Sequence, residues 1–153
     1  MEHLGISFLR LPHAFGLPLP EYKTNGAAGM DLFAALPEDK SVKILPGMRS
    51  LIPSGYVVVI PSGYEGQVRS RSGLALNYGI SCLNSPGTID SDYRGEIKIL
   101  LINLGQEIFN VKRGMRVAQL VISPCVKACP QLVSLIPLDH TDRNDKGFGS
   151  TGV

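Results

Sequence analysis

The sequence is short of most features that announce a mechanism. Its 153 residues include only three cysteines, Cys82, Cys125 and Cys129, an odd number with no CxxC pair. The Cys125 to Cys129 spacing has no histidine ligands beside it, which argues against structural zinc and predicts buried or partly buried, reduced thiols. The three histidines, His3, His13 and His140, are scattered through segments that read as surface. A histidine metal site or a Ser/His/Asp triad therefore has little to stand on. Charge of one sign is scarce as well: 15 Lys and Arg against 13 Asp and Glu give a net charge of +2. Net charge argues for neither nucleic acid nor a membrane surface, and any anion site must be a local cluster. Long hydrophobic runs are missing too. The opening stretch MEHLGISFLRLPHAFGLPLPEY is apolar, but it lacks a basic n-region, and Pro12, Gly16, Pro18 and Pro20 interrupt it. No run approaches transmembrane length. The expectation is a soluble, cytoplasmic protein that binds neither nucleic acid nor membrane.

What the chain has in quantity is punctuation, with 17 glycines and 11 prolines. They divide it into short runs rich in Val and Ile, which predicts an all-β fold. Candidate strands are ISFLRL (6–11), SVKILP (41–46), GYVVVIP (55–61), GQVRSR (66–71), EIKILLINL (96–104) and RVAQLVIS (116–123). Turns are expected at 46–48, 53–55, 61–63 and 85–88. Many short strands with frequent turns point to a sandwich or barrel burying one face of each strand. One short helix is expected in SGLALNYG, with Ser72 as N-cap and Gly79 in the left-handed position after it. The length suits one domain. From about Asp139 the apolar pattern stops, which divides the chain into a domain over 1–139 and a flexible arm over 140–153.

Four internal segments carry candidate chemistry. RSRSGLA, Arg69 to Ala75, brings Arg71 to a helix start, a place suited either to an anion or to no more than a capped helix with surface arginines. LNSPGTIDSDYRGEIKI, Leu83 to Ile99, suggests a hairpin with Asn84 on one arm and Asp90, Asp92 and Tyr93 on the other. Two carboxylates at that spacing would share a strand face. They could act as base or metal ligands, and Asp92, flanked by Arg94, better fits a structural ion pair. AAGMDLFA places Asp31 among small apolar residues, where a buried carboxylate needs a partner. GMRVAQLVIS places Arg116 and Gln119 in an otherwise apolar strand.

Each segment is weak alone. In order, they resemble the five motifs of the homotrimeric deoxyuridine triphosphatase (dUTPase) family: AGMDLFA, RSGLA, GTIDSDYRGE, GMRVAQ and GFGSTG. The resemblance spans nearly the whole chain. It implies a jelly-roll-like β-barrel assembled as a homotrimer, with active sites at subunit boundaries. It implies Mg²⁺-dependent cleavage of dUTP between the α and β phosphates, giving dUMP and pyrophosphate. That reaction limits uracil incorporation into DNA and supplies dUMP for thymidylate synthesis.

Carried over by position, Asp90 would deprotonate the attacking water. Arg71, Ser72, Gly73 and Gln119 would hold phosphates, Gln119 from a neighbouring subunit. Asp31 would support the outer shell of the Mg²⁺, itself held mainly by substrate phosphates and water. Uracil would be read by Asn84 and by backbone at Gly87, Thr88 and Ile89, with Tyr93 against the deoxyribose and Lys98 bordering the site. In the arm, Phe148 would stack on uracil while Arg143, Ser150 and Thr151 hold the γ-phosphate.

The chain departs from the family pattern twice. Ser70 stands where the family usually has proline, an expected loss of stiffness. Asn144 and Lys146 stand where the fifth motif usually has glycine. Two competing readings are a dCTP deaminase, against which the IDSDYRGE and GFGSTG segments argue, and a nucleotide-responsive binding protein with little turnover.

Overall fold

In a computed structural model, residues 4–134 are described. The arm predicted over 140–153, with Arg143, Phe148, Ser150 and Thr151, lies outside them.

The all-β expectation holds. The strands are β1 (Ser7–Arg10), β2 (Met30–Phe33), β3 (Ser41–Ile44), β4 (Arg49–Val59), β5 (Tyr64–Arg69), β6 (Ile80–Cys82), β7 (Gly87–Ile89), β8 (Glu96–Asn103), β9 (Phe109–Lys112) and β10 (Arg116–Pro124), with helix α1 (Ser72–Tyr78) between β5 and β6. A single 3-10 turn covers Pro12–Ala14. One four-stranded sheet runs β1-β4-β8-β6, a second runs β2-β10-β5-β7, and β3 pairs with β9 apart from both. Every pairing is antiparallel. The sheets share no ladder, so this is an open jelly-roll-like sandwich. Among the described residues no helix is long and apolar enough to cross a membrane.

The two large sheets meet because their strands alternate. In β8, Ile97, Ile99 and Leu101 are fully buried while Glu96, Lys98 and Leu100 face away. Leu32, Val68, Val117 and Leu120 from the second sheet join Ile52, Val58 and the β8 residues in one core. Fully burying each such side chain contributes roughly 1.5–3 kcal/mol. A smaller cluster of Ala14, Leu17, Phe33, Ala35 and Tyr56 packs under the N-terminal segment. There the Tyr56 hydroxyl donates to the carbonyls of Leu17 and Pro18, at 3.2 and 3.0 Å.

Four sequence expectations are corrected. The predicted turn at 53–55 is a bulge inside β4, whose register against β8 shifts between Pro53 and Val57. Gly55 takes φ 74° there, and its N–H is captured by Glu96 Oε1 at 2.8 Å, so the strand continues without a ladder bond at that point. Ser72 is not the N-cap but the first helical residue. The cap is Arg71, with φ −93°, ψ 127° and no side-chain capping bond. Gly79 takes the left-handed position as expected, at φ 68°. The predicted hairpin around 85–88 is not a ladder pair, because β6 bonds to β8 and β7 to β5, in different sheets. Cys82 is buried, and burial pushes its thiol above the usual range against an opposing hydrogen bond from Ser70, but Cys125 and Cys129 are exposed.

Strands β2, β6, β7 and β9 went unpredicted. At three or four residues each they are too short to display an alternation.

Among the described residues Asn103 is the fully buried side-chain amide. Its Nδ2 donates to the carbonyls of Ile44 and Glu107, both at 2.8 Å, and its Oδ1 accepts the Gly105 N–H at 2.9 Å. Removing it orphans three backbone groups, each costing about 1–3 kcal/mol if left dry. Asn103→Ala is expected to lower stability by about 2–4 kcal/mol, read as a shifted midpoint in denaturant titration.

Candidate active site

Of the residues predicted for the base, the sugar and the water, those within the described residues converge. Asn84, Gly87, Thr88, Ile89, Asp90, Tyr93 and Lys98 line one pocket of about 190 Å³, completed by Val68, Glu96 and Leu100. The crossing between sheets builds it. β6 covers β8 only from Asn103 to Leu101, so the earlier part of that β8 edge lies open. The chain then crosses over residues 83–86 to enter the second sheet as β7, beside β5.

Gly87 packs closely, and a Cβ there would press on the Asn84 amide at 3.0 Å and on Val68 at 3.4 Å. Asp90 and Asp92 do not share a strand face. β7 ends at Ile89, and Asp90 opens a turn closed by the Tyr93 N–H on the Asp90 carbonyl at 3.1 Å. Arg94 is not paired with Asp92; it donates to the carbonyls of Ser91 and Tyr93, both at 2.8 Å.

Tyr93 is folded back over Gly95, where any side chain would overlap its ring. Its hydroxyl donates to the Glu96 carbonyl at 3.0 Å. The Glu96 carboxylate is itself held, by the Gly55 N–H at 2.8 Å and by His13 Nε2 at 2.6 Å. Gly95 and Glu96 went unassigned in the sequence. Their role appears only once the ring is seen lying on the backbone two residues ahead.

The predicted phosphate residues form a second group, built around Asp31. The β2 to β10 register places Asp31 opposite Gln119, and the β10 to β5 register places Gln119 opposite Arg69. The Asp31 carboxylate binds Arg71 Nε through Oδ1 and Arg116 Nη1 through Oδ2, each at 3.0 Å. These are the partners its apolar surroundings demanded: the Arg116 contact is a charge-assisted hydrogen bond and the Arg71 contact an ion pair.

Arg71 also donates from Nη1 to the Arg116 carbonyl at 2.9 Å. Among the described residues its Nη2 has no hydrogen-bond partner. The Gln119 Nε2 donates to the Ser70 carbonyl at 2.9 Å, and a Cβ at Gly29 would overlap the Gln119 side chain. Ser72 and Gly73 open α1, ahead of the first amides bonded within it, those of Leu74 and Ala75 on the Arg71 carbonyl. Their N–H groups belong to the unsatisfied first turn. Gly73 borders open space. None of Arg71, Ser72, Gly73 and Gln119 lines the base pocket.

Comparison with known proteins shows the family. The dUTPase family model matches residues 16–152. A deoxyuridine 5'-triphosphate nucleotidohydrolase of Mesorhizobium japonicum is 59% identical over 148 residues, 97% of this chain and 91% of that one. One from Brucella melitensis is 55% identical over 150 residues, 98% and 93% of the two chains. The solved structure of a mutant Staphylococcus bacteriophage 80alpha dUTPase with dUpNHpp superposes with a TM-score of 0.84 at 25% identity, covering 97% of this chain and 99% of that one. With its family match running from the first cluster of turns to the last glycines, and over half its residues shared with relatives of nearly equal length, the chain belongs to the dUTPase family.

Proposed function

We propose that the protein hydrolyses dUTP between the α and β phosphates, giving dUMP and pyrophosphate. The observation that carries this reading is the pocket that gathers Asn84, Gly87, Thr88, Ile89, Asp90, Tyr93 and Lys98. β7 is an edge strand, so alternate N–H and C=O groups along Gly87–Ile89 face away from β5. An edge of this kind offers the donor and acceptor order that uracil matches at O2, N3 and O4. Cytosine reverses that order at N3 and C4, leaving buried groups unpaired at about 1–3 kcal/mol each. The Asn84 amide adds a further polar contact, and the Tyr93 ring, held down on Gly95, closes the sugar side against a 2′-hydroxyl.

Asp90 serves as the base that takes a proton from the attacking water. A carboxylate is a weak base, yet a positioned one contributes roughly 10²- to 10⁴-fold. The larger share falls to charge stabilisation. Arg71 presents its Nη2, the first amides of α1 lie beside it, and Gln119 joins them.

Magnesium enters this reading with the nucleotide. Among the described residues no three His, Cys, Asp or Glu side chains cluster as a metal cage, and both Asp31 oxygens are engaged by guanidinium groups. That donor set suits an ion carried on the triphosphate and water, as Mg²⁺ usually is. Asp31 then acts through water or by fixing Arg71.

A homotrimer with shared sites accounts for phosphate residues that stand outside the base pocket of their own chain. The arm residues Phe148, Arg143, Ser150 and Thr151 complete the site over the base and γ-phosphate. A soluble nucleotide substrate and three free thiols suit the cytoplasm.

With Mg²⁺ and dUTP, purified protein should release pyrophosphate and no inorganic phosphate. Asp90→Asn should lower kcat by about 10²- to 10⁴-fold while a non-hydrolysable analogue still binds; release of inorganic phosphate would refute the bond assignment. Gly95→Ala should displace Tyr93 and cut the preference for dUTP over UTP by at least about tenfold, measured as a ratio of kcat/KM values. Chains ending after Asp142 should lose about 10²- to 10³-fold in turnover. Co-assembled one to one with Asp90→Asn chains, they should recover about a quarter of wild-type activity, the share of sites drawing one intact part from each chain. No recovery in mixed oligomers would count against shared sites.

A further inference from the structure

Strand β8 begins at Glu96 with little to hold it. Because β6 pairs with β8 only at Leu101, Ile102 and Asn103, the first residues of β8 have β4 as their one ladder partner among the described residues. That partner is irregular at this very point. Lys98 stands opposite Pro53 and Glu96 opposite Val57, so two steps along β8 are matched by four along β4. A bulge of this kind leaves backbone groups off the ladder and weakens the pairing locally.

The Glu96 carboxylate supplies the missing tie. Its Oε1 accepts the Gly55 N–H from the bulge at 2.8 Å and the His13 Nε2–H at 2.6 Å. The side chain is only 14% exposed, so both bonds form with little competition from water. His13 is fixed in turn. Its 3-10 turn sits on Gly55, where a Cβ would overlap that of Ala14, and its carbonyl accepts Arg113 Nη1 at 2.8 Å. The Leu11 N–H donates to the Gly55 carbonyl at 2.9 Å, so both peptide groups of the bulge glycine are bonded.

What rests on Glu96 is the Tyr93 ring. The Tyr93 hydroxyl donates to the Glu96 carbonyl at 3.0 Å, and Tyr93 and Glu96 both line the base pocket. A shift at the start of β8 moves that carbonyl, and the ring with it. All of these groups belong to one chain and one pocket, so the dependence holds whichever subunit brings the phosphate residues.

We propose that Glu96 is a positioning residue for sugar discrimination: its carboxylate, held by Gly55 and His13, fixes the carbonyl on which Tyr93 rests and keeps the ring where it excludes a 2′-hydroxyl. The role rests on the dUTP activity and the Tyr93 placement proposed above. A displaced ring admits UTP, so loss of the carboxylate should appear in the ratio of kcat/KM for dUTP over UTP.

The test compares wild type, Glu96→Ala and Glu96→Gln in that ratio with Mg²⁺, alongside amide hydrogen exchange at Gly55 and thermal melting. Glu96→Ala is expected to lower the ratio about three- to tenfold, the scale of one hydrogen bond, with faster exchange at Gly55. Glu96→Gln, which keeps an acceptor oxygen, should bring the ratio back to within about twofold of wild type. In a Tyr93→Phe background, where the hydroxyl is gone from the Glu96 carbonyl, Glu96→Ala should change the ratio by less than about twofold. Equal effects in the two backgrounds would show that the carboxylate does not act through Tyr93 and overturn the proposal. Faster exchange and a lower melting temperature with an unchanged ratio would make Glu96 structural only, and overturn it too. Should the alanine variant not fold, Glu96→Met, similar in length and without a carboxylate, carries the same expectations, and a wild-type ratio in that variant overturns the proposal equally. The failures are distinguishable. Wild-type protein inert toward dUTP, or equally active on UTP, overturns the reading above and this role with it, whereas selective wild type with an unaltered ratio in the variants overturns the role of Glu96 alone.

Discussion

Backbone groups in the ten residues from Ile80 to Ile89 must be satisfied in two sheets at once. β6 takes its partners from β8, and β7 takes its partners from β5. Residues 83–86 make the passage between them, with a cis bond between Ser85 and Pro86. An unpaired backbone donor or acceptor buried away from water costs as much as a lost hydrogen bond, so neither half of the segment can slide without orphaning a row of partners. The base pocket is the space this crossing leaves beside the uncovered start of β8. Its lining is therefore fixed by the same bonds that hold the two sheets in place.

The phosphate side depends on electrostatics. Asp31 is mostly buried on β2, and two guanidiniums converge on it from α1's cap and from β10. Because both carboxylate oxygens are engaged, Arg71 and Arg116 are held beside one another. Gln119, opposite Asp31 in the ladder, is held by the Ser70 carbonyl. Rigid support of this kind is what a charge-stabilising site requires, since donors that need not reorganise are worth more to a transition state. The glycines at 29, 87 and 95 contribute by what they lack. At each, a Cβ would press against Gln119, Asn84 or Tyr93.

Much of this was legible in one dimension. The core strands β4, β5, β8 and β10 run six or more residues between turns, long enough to stand out as strands, and β8 alternates along its whole length. The five motifs in order singled out the candidate residues, and the structure brings Asn84, Gly87, Thr88, Ile89, Asp90, Tyr93 and Lys98 around one pocket. Other features were not legible. Proline, serine and glycine at 53–55 read as a turn, but a side-chain carboxylate from β8 accepts the Gly55 N–H and lets the strand pass through. Serine at 72 read as a cap, but the chain becomes helical one residue earlier than a Ser72 cap allows. Ser70 read as lost stiffness, whereas its hydroxyl accepts the Cys82 N–H at the edge of the other sheet.

The sequence by itself determined the class of the fold and the left-handed glycine after α1, and it singled out the residues proposed to serve the base, the phosphates and the water. Those follow from local rules, alternation, turn preference and side-chain chemistry, which act over a few residues. Only the tertiary structure decided that β6 and β7 part company, that Asp31 answers to Arg71 and Arg116, and that Tyr93 lies on Gly95 with its hydroxyl on the carbonyl of Glu96, whose carboxylate His13 holds. Apart from the turn that folds Tyr93 onto Gly95, those contacts join residues far apart along the chain or depend on pairing with distant strands. Their partners were chosen by burial and hydrogen-bond satisfaction across the whole sandwich, which no window of sequence contains.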